Sequence, residues 1–457
     1  GGGGGQQPTR DTGVQDVPVQ ADQQAGDLAV DNQPDPGDGG VDTADATIEC
    51  APAPTGGPIP AGTAPMQAAG PVVASTPTRP ELAQAVADGK YTIAKALAQG
   101  YILSQAGGIV ASNDGGIFSS TDVTYSMNDN WDPSAKGIGD PATFSPMFTV
   151  AADGSGTHTT INAALMEAVF LATCSRVYIR VVPGTYREQV LLVSKASAPP
   201  ITLYSTEADA SKTTIVSGAS AATVGNMSAS ATMTVKAVTG FQMKNITIAN
   251  DYDEKSPGND QSAVALLLQS DKSQFENVRF LGNIATLYVK SVDANIAARS
   301  YFRDCYVEGD QDIILGRGVA VFDHTEIKYL ASRQPTGGII ANPSTLVYNR
   351  YGFLFDSCRF TAETGASGVF LAHQWMESAV AAAVGKMIVR NSTLGGHIAA
   401  VPWSTAAARM NTPKTPGGTT PILVYSSDDY FPPDIAPSPA EPFIGEYGNT
   451  GPGAHQP

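Results

Sequence analysis

Basic residues are scarce in this sequence. Its 457 residues include 27 Lys and Arg against 43 Asp and Glu, which gives a formal net charge of −16. Nucleic-acid binding needs a basic footprint that neutralises phosphates, and attraction to an anionic membrane surface needs the same charge. The sequence therefore predicts neither nucleic acid nor a membrane surface as a partner.

Cysteine and long apolar runs are also rare. Four cysteines are too few for a disulfide scaffold, and none of them lies in a Cys/His pattern with zinc spacing. The longest apolar stretch, residues 161–182, is interrupted by Glu167, Arg176 and Arg180, so no transmembrane segment is expected. We predict a soluble chain without a metal site or a cofactor.

The first 75 residues contain few aromatic or long aliphatic side chains and are rich in Gly, Pro, Ala, Gln and Asp. Such a segment cannot bury enough apolar area to offset its ordering entropy, so residues 1–75 are predicted to form a disordered acidic tether. The glycine run at residues 1–5 resembles the spacer of bacterial outer-membrane lipoproteins. It indicates an extracytoplasmic protein with an N-terminal lipid anchor, and a plain secreted tail is the alternative.

Residues 79–146 are predicted to form an N-terminal cap or adaptor. After Pro80, the apolar spacing predicts one or two short amphipathic helices, and a stretch rich in Gly, Ser and Asp follows. The apolar positions are Leu82, Ala85, Val86, Tyr91, Ile93, Ala94 and Leu97.

Beyond Phe148 a six-residue pattern occurs six times, at intervals of 20 to 34 residues. Positions one and six are apolar, positions two and five are charged or polar, and position four is small or apolar. The copies begin at Met243, Phe275, Phe302, Phe322, Phe355 and Val389. We interpret each copy as a strand edge whose side chains alternate between two faces. Repeats of this size predict an all-β solenoid over residues 148–457, a right-handed parallel β-helix.

Cys305 and Cys358 occupy the same position of this pattern, in coils separated by the coil that begins at Phe322. Two coil spacings place them roughly 9 to 10 Å apart, which is beyond disulfide reach. We expect both to be buried free thiols. The sequence gives no assignment for Cys50 or Cys174.

Five ordered motifs between residues 148 and 454 resemble those of the pectin methylesterase (pectinesterase) family, whose fold is a parallel β-helix. They are DGSG at 153–156, PGTYRE at 183–188, AVAL at 263–266, GDQDIILG at 309–316 and EYGNTGPGA at 446–454. The resemblance implies metal-free hydrolysis of a methyl-esterified, pectin-like polysaccharide. One aspartate attacks the ester carbonyl, a second exchanges protons, glutamines stabilise the oxyanion and an arginine holds the nucleophile.

Carried over residue by residue, the resemblance makes Asp312 the nucleophile. Ala285 occupies the position of the family's acid/base aspartate, and an alanine side chain cannot transfer a proton. Ile284 and Ser262 occupy the positions of the two glutamines that stabilise the oxyanion in the family. Gln261 could replace the second glutamine only if its strand slipped by one residue, which would reverse the side of the sheet that it faces.

The resemblance also places His373 at the family's arginine, whereas Trp375 keeps a family tryptophan and Leu315 replaces an aromatic residue. His373 could act as a general acid or base instead, and a hydrogen-bonded surface imidazole is the alternative.

Two further residues could rebuild the lost machinery. Asp310, two residues from Asp312, would face the same side of a strand and form a carboxylate pair with it, or it is a solvated turn aspartate. Arg317 could supply positive charge near Asp312, or it is a salt-bridged structural arginine.

Three functions remain open from the sequence. The first is a pectinesterase-type ester hydrolase with rebuilt machinery, for which the acidic chain favours highly methylated polymer. The second is an ester or thioester hydrolase of altered substrate. The third is a silent polysaccharide-binding or surface structural protein, with Tyr186, Trp375 and Trp403 as stacking platforms. The alternative for Tyr186 and Trp403 is that they fill the solenoid wall. Residues 412–439 are predicted to form a long loop over the groove or along the solenoid flank.

Overall fold

The computed structural model describes residues 57–58, 79, 81–98, 104–105, 123–125, 131–194, 198–254, 261–291, 298–345, 351–372, 386–403 and 444–454. The glycine run at residues 1–5, nearly all of the predicted tether and the predicted loop at 412–439 lie outside these residues. Two residues of the predicted tether, Gly57–Pro58, form a strand instead.

Few of the described elements are helices, and all of these helices are short. The α-helices are α1 (Gln84–Lys90), α2 (Ile93–Ala98), α3 (Ile161–Val169) and α4 (Ala221–Val224). Single 3-10 turns are formed by Pro133–Ala135, Pro141–Thr143, Ala210–Lys212 and Ser228–Ser230.

Strands dominate the described chain. The first fourteen are β1 (Gly57–Pro58), β2 (Ser104–Gln105), β3 (Val123–Tyr125), β4 (Phe148–Val150), β5 (Val177–Val181), β6 (Gly184–Arg187), β7 (Val190–Val193), β8 (Ile201–Tyr204), β9 (Thr213–Ser217), β10 (Met233–Lys236), β11 (Gln242–Lys244), β12 (Thr247–Asn250), β13 (Leu266–Gln269) and β14 (Ser273–Glu276). The others are β15 (Arg279–Leu281), β16 (Leu287–Val289), β17 (Arg299–Arg303), β18 (Tyr306–Gly309), β19 (Ile314–Gly316), β20 (Val319–Asp323), β21 (Glu326–Tyr329), β22 (Ile339–Pro343), β23 (Phe353–Asp356), β24 (Arg359–Ala362), β25 (Phe370–Ala372), β26 (Met387–Arg390), β27 (Thr393–Leu394) and β28 (Ile444–Tyr447).

Strands β4 to β28 form three long parallel sheets, which confirms the predicted β-helix. The site sheet has the order β25-β22-β19-β16-β13-β10-β7, and the helix sheet has the order β28-β26-β23-β20-β17-β14-β11-β8-β5-β4. The third sheet has the order β27-β24-β21-β18-β15-β12-β9-β6. Each coil passes through the site, helix and third sheets in turn, and a separate small antiparallel sheet joins β1, β3 and β2.

The repeated six-residue pattern is a corner and not the single strand edge that the sequence analysis predicted. In every copy the residue at position three has a positive φ, between 49° and 59°, which ends a strand of the helix sheet and starts one of the third sheet. This left-handed conformation favours Asn and Asp, which occur in four of the six copies. The six residues are Asn245, Asn277, Asp304, His324, Ser357 and Asn391.

The first position of the pattern fills the core with stacked rings. Phe275, Phe302, Phe322 and Phe355 are buried, and their successive ring centroids lie 4.8, 4.8 and 4.6 Å apart with interplanar angles of 6°, 11° and 9°. Parallel pairing joins each phenylalanine to the next in register. The stack therefore fixes the register of consecutive coils.

The two cysteines with a predicted state agree with that prediction. Cys305 and Cys358 are buried free thiols, as the coil spacing indicated. Cys174, which the sequence left unassigned, is disulfide-bonded.

The helices α1 and α2 pack on the outer face of the helix sheet. Leu82, Ala87 and Leu97 form a buried cluster with Val321 and Leu354 of that sheet. No helix in the described part of the chain combines the length and hydrophobicity of a membrane span.

We expect Phe302→Ala to lower the free energy of unfolding by about 3 to 5 kcal/mol, because the change leaves a cavity between two stacked rings. Chemical denaturation followed by circular dichroism measures the effect. Phe170→Ala is the control, since the Phe170 side chain is 62% exposed and its loss should cost less than about 1 kcal/mol. Equal losses in the two variants would contradict a stabilising role for the ring stack.

Candidate active site

The candidate site lies at the corner where the chain passes from the third sheet into the site sheet. Leu287 of β16 pairs with Ile314 of β19, so Ala285 and Asp312 occupy equivalent places in adjacent coils. Both have left-handed backbones, with φ of 64° and 51°. Adjacent coils are separated by about 4.8 Å, so a longer side chain at position 285 would face Asp312.

Asp312 occupies this corner, between β18 and β19. Its side chain is partly exposed, yet its surroundings remove most of its hydration, and this desolvation raises the pKa of Asp312 to about 6. Hydrogen bonds from Asn342 and Gln311 oppose that rise, and the charge of Asp310 adds to it. Gln311 Nε2 lies 2.8 Å from Asp312 Oδ1. Asp312 is therefore ionised at neutral pH and more basic than an ordinary aspartate.

Asn342 reaches Asp312 from the next coil. It belongs to β22 and pairs in register with Leu315, whereas its neighbour Ala341 points into the core. Successive residues of a strand face opposite sides, so Asn342 points out of the core, toward the corner that holds Asp312. Its side chain is 4% exposed.

The outer face of the site sheet beside Asp312 is apolar. Leu267, Tyr288 and Leu315 form a row in register, and Val264, Ala285 and Ile284 pack with them. Leu315 is only 3% exposed, so it packs within this cluster. The cluster supplies the low-dielectric surroundings in which an aspartate pKa rises.

Asp310 does not form the predicted acid/base pair with Asp312. It is fully buried, and both of its carboxylate oxygens accept hydrogen bonds from Arg333, at 2.8 Å from Nε and 2.5 Å from Nη2. The alternation rule behind the prediction fails because Asp312 occupies a corner with positive φ and not a strand. Asp310 is not a solvated turn residue either, and its charge acts on Asp312 only through space.

A second buried carboxylate, Glu254, lies on the same side of the corner. It is 3% exposed, and both of its oxygens lie 3.2 Å from the backbone nitrogen of Ile284. Burial raises the pKa of Glu254 to about 8, while the Ile284 hydrogen bond opposes the rise, the charge of Asp310 adds to it and Arg333 lowers it. Glu254 therefore keeps its proton at neutral pH.

Two predicted stacking platforms are buried. Tyr186 is 4% exposed and donates from its hydroxyl to the carbonyl oxygen of Val182 at 2.7 Å. Trp403 is 2% exposed and donates from Nε1 to Glu446 at 3.3 Å. Both rings fill the solenoid wall, which was the alternative interpretation, because their polar atoms are satisfied inside the protein.

Of the other predicted site residues, Arg317, Gln261 and Ser262 belong to the described part of the chain. Arg317 is buried and donates from Nε and Nη2 to the hydroxyl and carbonyl oxygens of Ser291, each at 2.9 Å. Gln261 and Ser262 are partly exposed, and the Ser262 carbonyl accepts from the backbone nitrogen of Ala221. His373 and Trp375 lie outside the described residues.

Four residues near the site were not singled out from the sequence. Gln311 could have been found, because it lies beside Asp312 in the same motif. The sequence signal for Asn342 is weaker, because it consists only of its place in β22, one coil beyond the motif. Glu254 and Arg333 come from connections between strands, where no repeated pattern fixes a position.

The described residues offer no obvious place for a metal. Among them, no three His, Cys, Asp or Glu side chains are grouped so that they could hold an ion.

The fold is a long parallel β-helix, and one of its corners holds a desolvated aspartate. These two features place the protein in the class of β-helical proteins with a carboxylate site. The sequence model of the Pectinesterase family matches residues 147–411, more than half of the chain. The chain belongs to the pectinesterase family, whose members are carboxylic ester hydrolases.

Individual relatives agree with this assignment. A pectinesterase of Ralstonia solanacearum is 36% identical over 414 residues, covering 83% of this chain and 92% of that protein. Escherichia coli YbhC, described as a putative acyl-CoA thioester hydrolase, is 31% identical over 318 residues, or 60% and 72% of the two chains. The YbhC crystal structure superposes with a TM-score of 0.63 over 85% and 98%. A pectin methylesterase crystallised with a hexasaccharide superposes with a TM-score of 0.53 and 22% identity, over 69% and 92%.

Glu254→Gln should change the pH dependence of stability. The pKa of Glu254 is about 8 in the folded protein against 4.5 for the ordinary group. The proton contributes stability fully below pH 4.5, and that stability is lost as the pH rises toward 8. Because glutamine removes this loss, we expect the stability of the variant relative to wild type to rise between pH 4.5 and 8, by at most about 1.4 kcal/mol per pH unit.

Denaturation at a series of pH values measures this difference. Glu207→Gln, at an exposed glutamate, controls for the loss of one acidic residue. A difference between Glu254→Gln and wild type that stays constant with pH would contradict the raised pKa.

Proposed function

We propose that this chain hydrolyses the methyl esters of a pectin-like polysaccharide and that Asp312 is the reacting carboxylate. The observation that supports this most directly is the environment of Asp312. It stands where the family's nucleophile is expected, it is ionised at neutral pH, and two neutral amides orient it.

The substrate proposal rests on family membership and on charge. A pectin methylesterase of the same fold was crystallised with a hexasaccharide, which makes an oligosaccharide of this kind the first ligand to test. The net charge of −16 opposes the polygalacturonate that demethylation creates. Highly methylated polymer, which is nearly neutral, should therefore be the preferred substrate.

The chemistry needs one carboxylate and one proton source. Methoxide is a poor leaving group, so it must be protonated as the C–O bond breaks. Ala285 stands at the position of the family's proton donor and cannot supply that proton. Asp312 itself can do so if it first accepts a proton from the attacking water.

Purified full-length protein should release methanol from highly methyl-esterified pectin, with a rate that falls as the pH drops through about 6. The acid limb follows from the raised pKa of Asp312, because only the ionised carboxylate reacts. Asp312→Asn should lower the rate by at least about 10³-fold. Release that is equal in the variant would exclude Asp312, and no release at any pH would leave polysaccharide binding as the function to test.

Ala285→Asp should move the acid limb of methanol release upward by about one pH unit or more. The new carboxylate would face Asp312 across one coil spacing, and a nearby like charge raises an aspartate pKa. Ala285→Asn is the matched control, because asparagine adds the same bulk without charge and tolerates the positive φ. An unchanged acid limb in Ala285→Asp would mean that the side chains at positions 285 and 312 do not face each other.

A thioester is the second candidate substrate. One relative is described as a putative acyl-CoA thioester hydrolase, which makes a thioester the next substrate to test. Release of free thiol from acyl-CoA by the same preparation tests it. Thiol release that is lost in Asp312→Asn, without methanol release from pectin, would favour this second function.

We also propose that the protein works outside the cytoplasm. The support is the disulfide bond of Cys174, because disulfides persist mainly in oxidising compartments. Fractionation of cells followed by detection of the protein tests this placement.

A further inference from the structure

Among the described residues, the side-chain carbonyl of Asn342 is a buried acceptor without a hydrogen-bond partner. Asn342 is 4% exposed, and no described protein atom donates to its Oδ1. Its orientation is fixed because the ionised Asp312 can only accept, so the NH2 group must face that carboxylate. A buried polar atom left in this state costs about 1 to 3 kcal/mol, and such atoms normally bind water or a ligand.

Oδ1 and Asp312 together offer two acceptors to one molecule. The two groups are adjacent, because Asn342 Nδ2 donates to the Asp312 carboxylate. A carboxylate has about four lone-pair sites, so Asp312 can accept from Gln311, Asn342 and one further donor. Water carries two O–H bonds and can donate one to each acceptor, which leaves its lone pairs free.

We propose that Asn342 is a positioning residue that holds the attacking water against Asp312. Nδ2 fixes the carboxylate, and Oδ1 accepts one O–H of the water while Asp312 accepts the other. This inference rests on the proposed function and adds to it the role of Asp312 as a general base.

The steps balance without a second carboxylate. Asp312 takes a proton from the water, and the water oxygen forms a bond to the ester carbonyl carbon, whose π electrons move to the carbonyl oxygen. The tetrahedral intermediate collapses, the C–O bond to the methoxy group breaks, and the protonated Asp312 returns its proton to give methanol. The carboxylic acid product then loses its own proton to solvent.

The placement of Ala285 fits this route. A covalent route would require a separate acid for methoxide during acylation, and Ala285 has no proton to give. In the general-base route the same carboxylate removes the proton and returns it. A base with a pKa near the working pH is the most effective for such a transfer.

A crystal structure of the full chain tests the placement of the water independently of activity. We expect an ordered water within hydrogen-bond distance of both Asn342 Oδ1 and the Asp312 carboxylate. An Oδ1 that accepts from a protein group, or an amide turned away from Asp312, would overturn the inference. Because this result needs no turnover, it stands even if the proposed substrate is wrong.

Kinetic measurements distinguish two roles of Asn342: positioning the water, or only donating a hydrogen bond to Asp312. Gln311→Leu and Asn342→Leu each remove one donor to Asp312, so both should move the acid limb of methanol release upward. Only Asn342→Leu also removes the second acceptor of the water. We expect its plateau kcat to fall about 10²-fold with KM unchanged, against about 10-fold or less for Gln311→Leu.

Two outcomes would overturn the proposal. If the two leucine variants behave alike, Oδ1 has no role beyond the hydrogen bond to Asp312. If Asn342→Leu raises KM and leaves kcat unchanged, Oδ1 binds a sugar hydroxyl of the substrate and not water. Methanol release by wild type in the same assay tests the proposed function separately.

Discussion

Parallel register between coils is the constraint on which the structure depends. Successive rings among Phe275, Phe302, Phe322 and Phe355 lie within 5 Å of each other, so each coil must place its first pattern residue over that of the preceding coil. A slip of one residue would turn these rings to the opposite face of the sheet. In the six coils that carry the pattern, the left-handed residue at its third position then fixes where the chain bends.

The same register determines what the candidate site can contain. Because Leu287 pairs with Ile314, positions 285 and 312 are adjacent whatever residues occupy them. A second carboxylate at position 285 would make an acid/base pair, whereas alanine leaves Asp312 with amide partners from its own coil and the next. The scaffold thus supplies positions, and the side chains at those positions decide the chemistry.

The repeated features were predictable from the sequence, and the unique contacts were not. The six pattern copies and the ordered motifs indicated the β-helix, and the equal positions of Cys305 and Cys358 indicated separated free thiols. The pattern was misread as one strand because hydrophobic alternation does not reveal a positive φ within it. Glu254 and Arg333 come from irregular connections, and the role proposed for Asn342 depends on which residues pair between coils. The pairing of Asp310 with Arg333 was missed for the same reason.

The charges around Asp312 are balanced so that one aspartate can serve as a base near neutral pH. Desolvation raises its pKa, and a neighbouring bare carboxylate would raise it further, but Arg333 is bonded to Asp310 through both oxygens. The donors Gln311 and Asn342 are neutral, so they orient the carboxylate and lower its pKa less than a cation at the same distance would. A pKa of about 6 leaves Asp312 ionised at pH 7 and still able to hold a proton briefly. Under the proposed function, hydrolysis without a second carboxylate at position 285 is therefore chemically possible when Asp312 acts on water.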